Sequence, residues 1–134
     1  LPLQELHRQA LREAGQPAPE EVPLEKEACL AETEEQAWQD GLPYLAGKYL
    51  LYAQRGQRDP GALATSDPKE MVSAMAKGRF IMGTPQSAIR ELREMRDKLG
   101  VNTFIFRVHW PGMSNQVSMR TIRLLGEEVL PELS

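Results

Sequence analysis

The sequence predicts an α/β protein built on parallel strands. Two observations carry the expectation. Segments with apolar residues at helical spacing alternate with short apolar runs. One of those runs, Phe104-Ile105-Phe106, is apolar on both faces, which is the pattern of a strand covered on both sides in a parallel sheet. Strands that alternate with helices pair in parallel through right-handed crossovers. At 134 residues, a single domain spanning 1–134 is expected.

The elements follow in order. Leu3, Leu6, Ala10, Leu11 and Ala14 recur at helical spacing, and Gly15 stops that first helix. A Pro-rich connector runs from Gln16 to Pro23. A first strand is predicted from Leu24 to Ala31, with Glu25 and Glu27 on one face and Leu24, Ala28 and Leu30 on the other. Thr33-Glu34-Glu35-Gln36 reads as a capping box that opens a helix carrying Trp38, Leu45, Tyr49 and Tyr52. Gly41 and Pro43 are expected to break or kink that helix.

From Gln54 to Asp67 the chain is polar and rich in Gly and Pro, and reads as a long loop. Asp67 and Pro68 then suit the cap and first position of a short helix ending near Ala76. A second strand is predicted from Arg79 to Gly83. Thr84 as N-cap and Pro85 at the first position open the next helix, whose apolar stripe is Ile89, Leu92, Met95 and Leu99 and whose stop is Gly100. The third strand is predicted from Val101 to Val108, followed by a Trp110-Pro111-Gly112 turn. Ser114 caps a last helix with Val117, Thr121, Leu124, Leu125 and Val129 on its stripe. No internal repeat stands out beyond the β/α rhythm.

Composition narrows the function classes. The net charge is −3, and basic residues are interleaved with acids as in Arg90-Glu91-Leu92-Arg93-Glu94. That argues for a solvated helix face and against a nucleic-acid surface, which needs clustered cations. The one cysteine, Cys29, lies between Ala28 and Leu30 and reads as a buried structural thiol. It supports neither an intrachain disulfide nor a cysteine zinc cluster, and no metal site is expected. No apolar run approaches the roughly 20 residues of a membrane span. No signal peptide is visible, so a cytoplasmic address is expected by default. The chain begins at Leu1 rather than at a methionine, and its true start is expected elsewhere.

Several blocks occur together in a fixed order: Ala31-Glu32-Thr33-Glu34-Glu35-Gln36-Ala37-Trp38, Met82-Gly83-Thr84-Pro85-Gln86, Leu99-Gly100-Val101, Trp110-Pro111-Gly112-Met113, and Leu124-Leu125-Gly126-Glu127-Glu128-Val129-Leu130-Pro131. In this combination the chain resembles the C-terminal portion of a flavin-dependent monooxygenase of the bacterial luciferase-like family. The resemblance implies a (β/α)8 barrel that carries reduced FMN, or a deazaflavin, and uses O2 to oxidise a small organic substrate. By that resemblance the chain supplies the last three parallel β/α units of the barrel, with the Arg55 to Asp67 stretch as a lid-like insertion. The earlier strands, which hold most of the family's flavin-binding and proton-transfer residues, have no counterpart here. Three units do not close a barrel of eight. The expectation is therefore a homodimer or a complementary chain, and weak flavin binding by the chain alone. The alternative function is a non-catalytic half-barrel module that serves as an assembly surface.

Barrel active sites lie at the C-terminal ends of the strands, which selects Glu32-Thr33, Gly83-Thr84 and Arg107 to Trp110. Gly83 and Thr84 open a helix whose free N–H groups and dipole suit a cofactor phosphate, although plain capping accounts for them as well. Alternation puts Arg107 and His109 on one strand face, with Phe106 and Val108 on the other. Arg107 is a candidate partner for an anionic group of substrate or flavin, and a structural ion pair is the simpler reading. His109 is a candidate proton donor against a plain packed histidine. Trp110 is a candidate stacking surface in a substrate pocket against a turn anchor.

Overall fold

The computed structural model describes residues 2–56, 67–76 and 79–134. The elements are α1 (Pro2–Glu13), β1 (Pro23–Leu30), α2 (Glu34–Gln54), α3 (Pro68–Ala76), β2 (Phe80–Gly83), α4 (Pro85–Leu99), β3 (Thr103–Arg107), α5 (Asn115–Leu124) and α6 (Leu130–Leu133). A π-helical turn over Leu125–Val129 joins the last two helices. Most of the loop expected between Gln54 and Asp67, namely 57–66, lies outside the described residues.

Both strand pairings are parallel, as the alternation predicts. The sheet order is β2-β1-β3. The last four residues of β1 pair with β2, from Glu27 opposite Phe80 to Leu30 opposite Gly83. Its first five pair with β3, from Pro23 opposite Thr103 to Glu27 opposite Arg107. Three successive strands of a barrel lie in chain order, each beside the next. Here β1 is in the middle, so the connection to β2 and the return to β3 wind in opposite directions.

That order decides how the sheet is covered. On one face Cys29, Phe80 and Met82 pack with Leu45 of α2 and Val72 and Met75 of α3. On the other, Ala28, Leu30 and Ile81 pack with Ala88 and Leu92 of α4, Leu124 of α5, and Val129. The barrel expected from the sequence would carry all its crossover helices on the outside of the sheet. That expectation is corrected: two windings of opposite sense put helices on both faces. Alternation along β3 holds, since Phe104, Phe106 and Val108 lean on the α4 side.

Local chemistry explains the helix ends. Thr33 Oγ1 accepts from the Gln36 N–H at 3.1 Å, while the Gln36 side chain turns away to Asp40, so half of the predicted capping box forms. At α4 the box is complete: Thr84 Oγ1 accepts from the Ser87 N–H, and Ser87 Oγ accepts from the Thr84 N–H. Gly100 ends α4 at φ 68°, where a β-carbon is disfavoured. The break expected at Gly41 and Pro43 does not occur; α2 runs unbroken for 21 residues. Gly41 packs where a β-carbon would stand 2.7 Å from Met82 Cε and 3.2 Å from Cys29 Cβ, so the helix lies unusually close to β1. Pro43 deprives the Gln39 carbonyl of its usual donor, but Gln39 is exposed and water can serve it.

The last helix is likewise not uniform. Leu130 donates its N–H to Leu125 O, five residues back, and Pro131 has no N–H to continue the ladder. Leu125 and Val129, at the two ends of this turn, are both buried. By contrast α1 is loosely held. Leu3 and Leu6 are 81% and 59% exposed, and the helix is tied by Arg8 donating to Leu99 O at 2.6 Å.

Candidate functional site

In an open parallel sheet the natural crevice lies beyond the C-terminal strand ends, where the winding reverses. Here that place is between β1 and β3. Because β3 stops opposite Glu27, the end of β1 has no strand partner on that side. Side chains of α5 replace it. Leu30 donates its N–H to Thr121 Oγ1 at 3.0 Å, and Arg120 Nε donates to Leu30 O at 2.8 Å. Arg120 Nη1 also bonds Asp40 Oδ2 of α2 at 2.7 Å, while its buried Nη2 has no partner among the described residues. The crevice is thus spanned by the protein's own Arg120–Asp40 bridge, which links α2, β1 and α5.

The sequence-selected residues surround this bridge without converging on one point. Arg107, at the end of β3, forms an ion pair with Glu25 on β1. His109 is exposed, and its Nδ1 lies 2.7 Å from Ser118 Oγ. Trp110 is buried, with its indole N–H donated to Glu27. Its ring packs in the core beside Met113, in the manner of an anchor for the Trp110-Pro111-Gly112 turn. Gly83 and Thr84 stand on the far strand. There the N–H groups of Thr84 and Ser87 are taken by the capping box, and Pro85 has none to give. The start of α4 therefore offers a phosphate few free donors.

Sequence reasoning missed a buried ion pair. Glu27, read as part of a polar strand face, is 8% exposed. One carboxylate oxygen meets Lys48 Nζ of α2 and the other meets the Trp110 indole N–H. The ammonium also lies 5.6 Å from the ring centroids of both Tyr49 and Tyr52, within cation–π reach. The pair borders a polar pocket of about 380 Å³ that also contains Glu25, Arg79 and Arg107. The available signal was a carboxylate inside a strand that a helix must cover. Burial pushes the Cys29 thiol up from its ordinary value, with Arg120 opposing, so it is a packed thiol rather than a nucleophile.

A larger cleft, of about 690 Å³, opens along the free edge of β2 between α2, α3 and α4. Trp38, Phe80, Met82 and Met95 form its walls, and Glu34 and Glu91 reach it from α2 and α4. Burial raises the Glu91 carboxyl above its ordinary range; Arg90 and Lys26 offset this in part, and Glu34 adds to it. Among the described residues no group of three or more His, Cys, Asp or Glu is placed to hold a metal ion, and no helix is long and apolar enough to cross a membrane.

No family model matches the sequence, and no curated protein matches it. Solved structures do. The monooxygenase RslO1 from Streptomyces bottropensis superposes with a TM-score of 0.69 at 28% identity, over 98% of this chain and 37% of that one. The FMN-bound oxygenating constituent of 3,6-diketocamphane monooxygenase, a type II Baeyer-Villiger monooxygenase from Pseudomonas putida, superposes at 0.67 with 18% identity, over 96% of this chain and 38% of that one. Apo-MsnO8 superposes at 0.58 with 18% identity, over 93% and 40%. The resemblance to flavin-dependent monooxygenases read from the sequence blocks is thus borne out by structural neighbours. The chain spans less than half the length of each of them.

Proposed function

We propose that this chain is the C-terminal segment of a flavin-dependent monooxygenase of the luciferase-like family, acting on a small organic substrate with O2 and reduced flavin. The observation that carries the reading is the likeness to RslO1 along nearly the whole of this chain but little more than a third of that enzyme. FMN is the favoured cofactor, because one neighbour holds it. When bound, the flavin would supply the oxygen chemistry; the residues here would shape and close its surroundings. Arg107 and His109 stand at the end of β3 as the polar groups of such a wall. Trp110 holds their turn in place through Glu27.

A complementary stretch of protein, whether upstream chain or separate subunit, fits the outer edge of β3. Ile105 is 51% exposed there, and Phe104 and Phe106 are only partly buried. An apolar open edge of this kind invites another strand. A second copy of the chain is the competing partner, and a purely assembling module without catalysis remains the alternative function.

An FMN titration followed by amide chemical shifts tests the reading. Weak, saturable perturbations at Ala31 to Thr33 and Val108 to Trp110 are expected at FMN concentrations approaching about 1 mM. Perturbations confined to other surfaces, or none at all, would count against any flavin role for this sheet.

A further inference from the structure

The cleft beside β2 lies away from the β1–β3 crevice and is not used by the flavin reading. Its volume of about 690 Å³ falls within the roughly 300–1,000 Å³ that small-molecule sites occupy. Its walls are apolar and polarisable, with the Trp38 indole and the Met82 and Met95 thioethers among them.

Among the described residues that line it, Glu34, Glu91 and Glu94 stand against Lys98, which is already bonded to Glu94 one turn away on α4, while Arg90 and Lys26 act on Glu91 from outside the lining. Burial is the main cost on the Glu91 carboxylate; Arg90 opposes it and Glu34 adds to it. A cation placed beside Glu91 would relieve that cost. An apolar body behind it would cover Phe80, Met82 and the Trp38 ring.

We propose that the β2-edge cleft is a binding site for an apolar organic amine, with its ammonium held between Glu34 and Glu91 and its hydrocarbon body against Trp38, Met82 and Met95. Charge sets the preference, and the apolar walls supply most of the contact.

Titration calorimetry with phenylbutylamine, a cation at neutral pH, and phenylbutanol, its uncharged counterpart, tests this. The amine is expected to bind about tenfold more tightly than the alcohol. In the Glu34→Gln/Glu91→Gln double variant the amine should fall to the alcohol's affinity while the alcohol is unchanged. Trp38→Phe should abolish the intrinsic fluorescence response to the amine, leaving the buried Trp110 signal flat. Thermal melts of each variant exclude unfolding as the cause. Equal affinity of amine and alcohol, absence of binding by either, or a preference that survives the double substitution would overturn the proposal.

Discussion

Glu27 is the residue on which one face of the sheet depends. It is buried with both oxygens engaged, by Lys48 and by Trp110. Removing one partner of a buried pair leaves the other charge uncompensated, at a cost of about 3–5 kcal/mol. Glu27→Ala should therefore lose stability on that scale in urea unfolding. Glu27→Ala combined with Lys48→Met should recover a large part of it, because no lone charge remains. Glu91 behaves oppositely. Its folded carboxyl is raised above the ordinary 4.5, chiefly by burial. A carboxyl raised on folding destabilises wherever both states are ionised, and the penalty vanishes once both are protonated. Glu91→Gln is thus expected to stabilise at neutral pH and to be neutral well below pH 4.5. A stability difference that is constant with pH would contradict the assignment. Neither role was legible in the sequence. Glu27 was visible as a strand carboxylate, but only the crossing of α2 over β1, brought close by Gly41, shows that it is buried.

At the scale of elements, residue types with one job were the legible ones. Thr84, Pro85, Gly100 and Ser114 each marked a helix end, because caps and stops depend on local hydrogen bonds and φ values. Thr84→Ala should cost about 1 kcal/mol through loss of the capping box, measurable by thermal melting. Pro43 misled, because a proline's cost depends on whether the carbonyl it orphans can reach water, and that depends on tertiary placement. The π-helical turn was illegible too: Leu125 and Val129 are four apart, and an α-helix would place them on one face just as well. Burial also ranks the elements by local stability. The residues Ala28 to Leu30 lie in the central strand and are fully buried, whereas α1 leaves Leu3 and Leu6 in solvent. Hydrogen exchange should find the β1 amides among the slowest, opening only with global unfolding, and the α1 amides fast. Equal protection of α1 and β1 would mean that α1 packs far better than its exposed leucines indicate.

At the scale of the whole molecule, alternation of strands and helices was enough to predict parallel pairing, but not the order of the strands. Order depends on which edge of β1 each crossover returns to, and Phe104-Ile105-Phe106 carries no mark of that choice. The order β2-β1-β3 puts helices on both faces of β1 and β2, while β3 stays less covered, with Ile105 51% exposed. What remains open is the β3 edge and the β2 cleft. The candidate site was legible to the same degree. The strand-end position of Arg107, His109 and Trp110 was readable from the strand pattern, while the Arg120–Asp40 bridge that spans the crevice was hidden, since it joins residues 80 positions apart.

The central claim is that this sheet is one part of a flavin enzyme whose main cofactor-binding strands lie outside the chain. Quenching of FMN fluorescence by the purified chain measures it most directly. The account predicts a dissociation constant above about 100 μM, corresponding to less than about 5.5 kcal/mol of binding, because Thr84 and Ser87 spend their donors on the α4 cap and Arg107 is paired with Glu25. Stoichiometric binding of FMN at low micromolar concentration would contradict it, and would show that these three strands hold a complete flavin site of their own.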